Sequence, residues 1–87
     1  MHELGLANNI FDIVRQYVPA ERARAVRSVR VRVGDLAGVV PDSLAFCFSA
    51  IVSDTPFDRA ALTIDHVLGR ELQVADIEIE EEDEETP

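Results

Sequence analysis

An α+β domain, with two amphipathic helices packed on one face of a three-stranded sheet in the order α-β-α-β-β, is the fold this sequence predicts. Three observations predict it. Apolar residues recur at three- and four-residue steps in residues 4–18 and again after Pro41. They alternate with polar ones from Val26 and from Ala61, the period of a half-buried strand. Proline, glycine and charged residues separate these stretches. Placing both helices on one sheet face is the simplest arrangement that buries every apolar stripe.

The first helix carries Ala7, Ile10, Phe11, Val14, Tyr17 and Val18 on one face, with Asn8, Asn9, Asp12, Arg15 and Gln16 on the other. Pro19 stops it, because the residue before a proline is pushed out of the helical region. Residues 20–25 read as a loop. Val29, Val31 and Val33 then alternate with Ser28, Arg30 and Arg32, giving a strand with one dry and one wet face. Gly34-Asp35-Leu36-Ala37-Gly38 turns the chain. Pro41 fits the first turn of the second helix, where its missing N–H is no loss, and Asp42 suits the same dipole end. Leu44, Cys47, Phe48 and Ile51 form its apolar stripe, which ends near Ser53-Asp54. Leu62, Ile64 and His66 share one face of the second strand, Thr63 and Asp65 the other. Residues 68–71 are short enough for a hairpin connection. Leu72, Val74, Ile77 and Ile79 mark the third strand, and their change of parity predicts a bulge near Ala75-Asp76.

Charge sets the first limits on function. The 87 residues include 8 Arg, no Lys and 17 acidic side chains, a formal charge of −9. Residues 78–87 hold seven of the acids and no base, so the remaining body is near neutral at −2. Nucleic-acid binding needs a positive field to release counterions, and this chain offers the reverse. The tail, residues 80–87, reads as a disordered, solvating like-charge block, with contact to a basic partner as the alternative. No apolar run is long enough to span a bilayer, and Met1-His2-Glu3 has no basic and apolar start of the secretory kind. Cys47 is the single cysteine, so no internal disulfide and no multi-cysteine zinc site can form; flanked by Phe46 and Phe48, it reads as a small core hydrophobe. A cytoplasmic setting is the default for such a chain.

The residues offer little catalytic chemistry. There is no phosphate-binding glycine pattern, triad or acid/base pair, and a small core leaves no room for a large active-site cavity, so an enzyme is not expected. His66, near a strand end, reads as structural or exposed. His2 differs because of its neighbours. The Met1 amine, the His2 amide nitrogen and the His2 imidazole close two fused chelate rings, and Glu3 adds either its amide nitrogen or its carboxylate. Nitrogen-rich tetragonal sites of this kind suit nickel(II) and copper(II).

The same opening carries a resemblance. Met1-His2-Glu3-Leu4, followed by a helix with Ala7, Asn8 and Ile10, resembles the start of the HypA/HybF family of nickel metallochaperones. Ser28–Val33 running into Gly34-Asp35-Leu36-Ala37-Gly38-Val39-Val40-Pro41-Asp42-Ser43-Leu44-Ala45-Phe46 is similar to the family's centre. Thr55-Pro56 with Ala61-Leu62-Thr63-Ile64, and Gly69-Arg70-Glu71-Leu72-Gln73-Val74 with Ile77-Glu78-Ile79-Glu80, are similar to its later strands. The resemblance implies a nickel-binding domain over residues 1–79, with Met1, His2 and Glu3 as the metal-binding terminus. It implies nickel(II) as cargo, and a HypB-type GTPase and the large subunit of a nickel–iron hydrogenase as partners. Members of the family also carry a zinc module with two CxxC pairs between the second and third strands. Here His66-Val67 passes almost directly to Leu68-Gly69, so no zinc is expected; the loss looks like removal of an insertion at a hairpin tip. A shortened connection of this kind favours a homodimer formed by strand exchange. The alternative function is a metal-free protein-interaction or regulatory module on the same fold, using the Arg30 and Arg32 face or the acidic tail.

Overall fold

The computed structural model describes residues 3–80. Helix α1 spans Glu3–Tyr17, a 3-10 segment Ala20–Ala25, strand β1 Val26–Gly34, helix α2 Pro41–Val52, strand β2 Ala61–Val67 and strand β3 Leu72–Ile79. The predicted α+β order is therefore present, and both helices pack toward one sheet face. Residues 20–25, expected as loop, close a 3-10 turn through Arg22 N–H to the Pro19 carbonyl at 2.9 Å and bury Ala23.

Strand β1 is central in the order β2-β1-β3, parallel to β2 and antiparallel to β3. It has the apolar face for that position: Val26, Val29, Val31 and Val33 are all buried. Val26 and Val29 differ in parity yet both point inward, because the pairing with β3 slips between Val26 and Ser28. A second slip lies between Arg30, opposite Asp76, and Val31, opposite Val74. Ala75 is the extra residue, so the predicted bulge is present where the apolar parity changes.

The expected hairpin is not. Strands β2 and β3 flank β1, and residues 68–71 cross over its end. Neighbouring strands are about 4.8 Å apart, so crossing one strand means covering about 10 Å, within reach of four residues. A short loop thus fits either topology, and the central position of β1, the strand whose inward face is fully buried, decides between them. The crossing is tied down by four hydrogen bonds: Gly34 N–H to Glu71 O (2.6 Å), Asp35 N–H to Val67 O (3.0 Å), Leu36 N–H to Gly69 O (2.7 Å) and Gly69 N–H to Asp35 Oδ1 (3.0 Å). Gly69 turns the chain with φ +98°, a region that side chains strongly disfavour.

The core joins Ala7, Ile10, Phe11 and Val14 of α1 to Leu44, Phe48 and Val52 of α2 and to the β1 valines. Phe11 sits edge-to-face on Phe48 and on Phe57, with ring centroids 6.4 and 5.3 Å apart. Phe57 and Ala60 enter the core from the connection between α2 and β2, which is ordered by Thr55. Its hydroxyl donates to Val52 O at 2.8 Å and accepts from Phe57 N–H at 3.0 Å. Cys47 is half-buried and packs against the core, as its apolar flanks predict. Tyr17, expected on the apolar face, is instead 75 % exposed at the last residue of α1.

Candidate metal-binding terminus

The structure describes one of the three expected metal-site residues. Met1 and His2 lie outside the described residues; Glu3 is the first residue of α1. Its side chain reaches across to α2, where Val40 N–H donates to Glu3 Oε2 at 3.0 Å.

Val40 is the N-cap of α2 and has no side-chain cap of its own; its carbonyl accepts from Leu44 N–H at 3.0 Å. The Glu3 carboxylate therefore lies against the positive end of the α2 dipole, where an anion is favoured. The loop that delivers Val40 begins at the end of β1. Ala37 N–H bonds to Gly34 O at 3.0 Å, and Gly38 adopts φ +76°, turning the chain back toward α2. The starts of α1, α2 and β3 and the ends of β1 and β2 thus gather at one end of the molecule. Leu4, Leu36, Val40 and Leu68 are exposed there.

Among the described residues, no group of three or more His, Cys, Asp and Glu could hold a metal ion. His66 is exposed on edge strand β2 and Cys47 lies on α2, so neither supplements the terminus.

The wet face of the sheet is a charge ladder. The Arg30 guanidinium bonds Asp76 through Nε (3.1 Å) and Nη2, and reaches Asp65 at 3.8 Å. Arg32 lies 4.0 Å from both Asp65 and Glu71, Arg27 bonds Glu80 (2.7 Å through Nε), and Ser28 Oγ meets Thr63 Oγ1 at 2.8 Å. The hydrogen bond from Arg30 holds the Asp76 carboxyl below its ordinary value and raises the guanidinium's own. Each of these β1 arginines is thus matched by a carboxylate on a neighbouring strand or at its end. Glu80, placed at the start of the tail from sequence, is bound to the body by this pair and by its own N–H to Ala25 O at 2.8 Å. Residues 81–87 lie outside the described residues.

One open groove of about 690 Å³ runs between α1 and β3, walled by Leu6, Ile10, Ile13, Val74, Ala75 and Ile77. No described helix is long and apolar enough to cross a membrane.

Fold and terminus together define a small α+β domain whose candidate chemistry sits at a chain end rather than in an interior pocket. Residues 1–72 match the family described as "Hydrogenase/urease nickel incorporation, metallochaperone, hypA". The chain belongs to the HypA family. A hydrogenase maturation factor HypA of Streptomyces avermitilis is 48 % identical over 71 residues, covering 80 % of this chain and 54 % of that protein. One of Desulfatibacillum aliphaticivorans is 43 % identical over 68 residues, covering 77 % and 52 %. The chain thus spans about half the length of these curated relatives. The solution structure of the nickel metallochaperone HypA from Helicobacter pylori shares the fold, with a TM-score of 0.76 over 94 % of this chain and all of that one, at 13 % identity. The family match stops where β3 begins, so the likeness read from the sequence of residues 73–80 rests on the shared fold alone.

Proposed function

We propose that this chain binds nickel(II) at its amino terminus through Met1, His2 and Glu3 and passes it on by ligand exchange during nickel–iron hydrogenase maturation. The observation that carries the reading is the family match, which begins at residue 1 and so includes the Met1-His2-Glu3 opening. Chemistry agrees: an amine, an imidazole and backbone amide nitrogens form the nitrogen-rich set that nickel(II) favours. Amide coordination releases protons, so affinity rises with pH. A site at a chain end is open to an incoming ligand, which suits capture and release rather than catalysis.

The recipients, by family, are a HypB-type GTPase and the hydrogenase large subunit. Zinc has no part in this reading: the single cysteine and the four-residue connection between β2 and β3 provide no tetrathiolate. The lone half-buried thiol fits a reducing cytoplasmic setting. Calorimetric titration with nickel(II) of the protein with a free amino terminus, against His2→Ala, tests the proposal. Loss of most of the affinity in the variant is the expected result; equal affinities would sink it.

A further inference from the structure

We propose that the outer edge of β3, with the groove beside it, is a docking site for an extended, basic segment of a partner protein that joins the sheet as a fourth strand. The inference goes beyond the nickel reading and does not depend on it, and its test contains no metal.

In the order β2-β1-β3, the outer side of β3 has no strand neighbour among the described residues. Such an edge offers a row of backbone donors and acceptors to another extended chain. Helix cover is unequal as well: α2 packs over β2, whereas α1 barely touches β3. Leu72, Val74 and Ile77 are therefore only partly buried, unlike the β1 valines. The gap is the groove of about 690 Å³, within the roughly 300–1,000 Å³ of binding clefts. Ile13 and the exposed Tyr17 line its helical wall. A strand laid along β3 draws affinity from main-chain hydrogen bonds, while every second side chain turns to the groove.

Charge selects the occupant. No arginine lines the groove, and its charged lining residue is Asp76. Glu78 is exposed on β3, and its carboxylate has no hydrogen-bond or ion-pair partner among the described residues. The sequence from Glu80 to Glu85 is acidic throughout. Two occupants are thereby disfavoured. Residues 81–87 include no Val, Leu, Ile, Met or aromatic residue to fill an apolar groove. A second copy would set its own acidic edge against this one, and like charges on facing strands are destabilising. The bulge at Ala75 and the outward carboxylates are devices that discourage edge-to-edge pairing of identical chains. A strand with apolar residues on one face and lysine or arginine on the other meets attraction where a second copy meets repulsion.

The probe is a short synthetic peptide of alternating lysine and valine, titrated into the full chain at about 0.15 M salt, where exposed charges alone are well screened. Two control peptides keep its composition. One groups the lysines apart from the valines, which destroys the alternation. The other is N-methylated at every residue, which removes its backbone donors and keeps its charge. Fluorescence anisotropy should show micromolar binding of the alternating peptide, with both controls at least tenfold weaker. Amide resonances of β3 and of the α1 residues lining the groove should shift, and β3 amides should gain protection from hydrogen exchange. Ile13→Lys, which puts a cation into the groove, should weaken binding about tenfold, and Glu78→Lys about fivefold, on the scale of one cross-strand charge pair. The peptide controls decide the matter even where a protein variant folds poorly. Equal binding of either control overturns the inference, as does a lack of binding at millimolar peptide. So do shifts confined to β2 or to residues after Glu80, and β3 protection that grows with the concentration of the free protein, which would place a second copy on the edge.

Discussion

Replacing Gly34 by alanine tests the crossing of residues 68–71 over β1. A Cβ at position 34 would lie 2.2 Å from Gly69 O, 2.5 Å from Gly69 C and 2.7 Å from Glu71 N. All three are backbone atoms, so no side chain can swing aside, and the crossing must retreat by about 1 Å to restore ordinary contact. That movement strains or breaks Gly34 N–H to Glu71 O, Leu36 N–H to Gly69 O and Gly69 N–H to Asp35 Oδ1. At about 0.5–1.5 kcal/mol each, these bonds represent about 3 kcal/mol. Restricting the unfolded chain returns about 0.4–1 kcal/mol, leaving a net destabilisation of about 2 kcal/mol. In a domain of this size that lowers Tm by roughly 10–15 °C. Urea unfolding followed by far-ultraviolet circular dichroism would measure it, with the midpoint falling and the slope unchanged. A loss under about 0.5 kcal/mol would mean that the crossing does not press on β1, and the topology argued for the sheet would lose its main packing contact.

Gly5→Ala should do the opposite. A Cβ there meets nothing within 4 Å and sits inside α1, so stability should rise by about 0.5–1 kcal/mol in the same urea experiment. Phe48→Ala removes a fully buried ring and the edge-to-face contact with Phe11, and should destabilise by about 3–5 kcal/mol, enough to leave much of the chain unfolded at 37 °C. Acid should expose the Arg30–Asp76 pair. The folded carboxyl lies below its ordinary value of 3.8, so its contribution is present above that pH and is lost as pH falls through the lower, folded value. Asp76→Asn should therefore flatten the stability profile below about pH 4 and leave the slope above pH 6 unaltered, as followed by urea midpoints across the range.

The Arg30 and Arg32 face also bears on what the chain can recognise. A strand of alternating arginines suggests a basic surface when read alone. Once folded, β1 lies between two edge strands that place Asp65 on one side and Asp76 on the other, with Glu71 at the crossing. The guanidinium charges are largely cancelled where they stand. The excess negative charge of the sequence is concentrated after residue 77. Any long-range steering of a charged partner comes from that acidic end and weakens with salt over about 10 Å.

How much was legible in the sequence follows from which signals are periodic. The α1 stripe, the β1 alternation, Pro41 at the start of α2 and the parity change at Ala75 are all local patterns, and each has its counterpart in the structure. Strand order is not local. Four residues can return a chain beside its neighbour or carry it past one strand, and only the competition among strands for the buried central place decides. Phe57 was illegible for a related reason: it comes from a turn stabilised by the Thr55 hydroxyl, where no repeat marks an inward residue.

The candidate site divides in the same way. Chelation by a chain end is written in consecutive residues, so Met1, His2 and Glu3 can be proposed from their order alone. The partner of Glu3 cannot, because the bond reaches a backbone N–H that every non-proline residue possesses, 37 positions away. Side-chain identity at Val40 carries no trace of it. What distinguishes Val40 is its place: it is the N-cap of a helix that lacks a side-chain cap, delivered by a loop whose origin is fixed by the crossing at Gly34. The need for an acceptor at that position arises from the fold, and a carboxylate at the start of α1 meets it. That is why substitution at Val40 by any residue with an N–H should leave the tether intact, while proline alone should remove it.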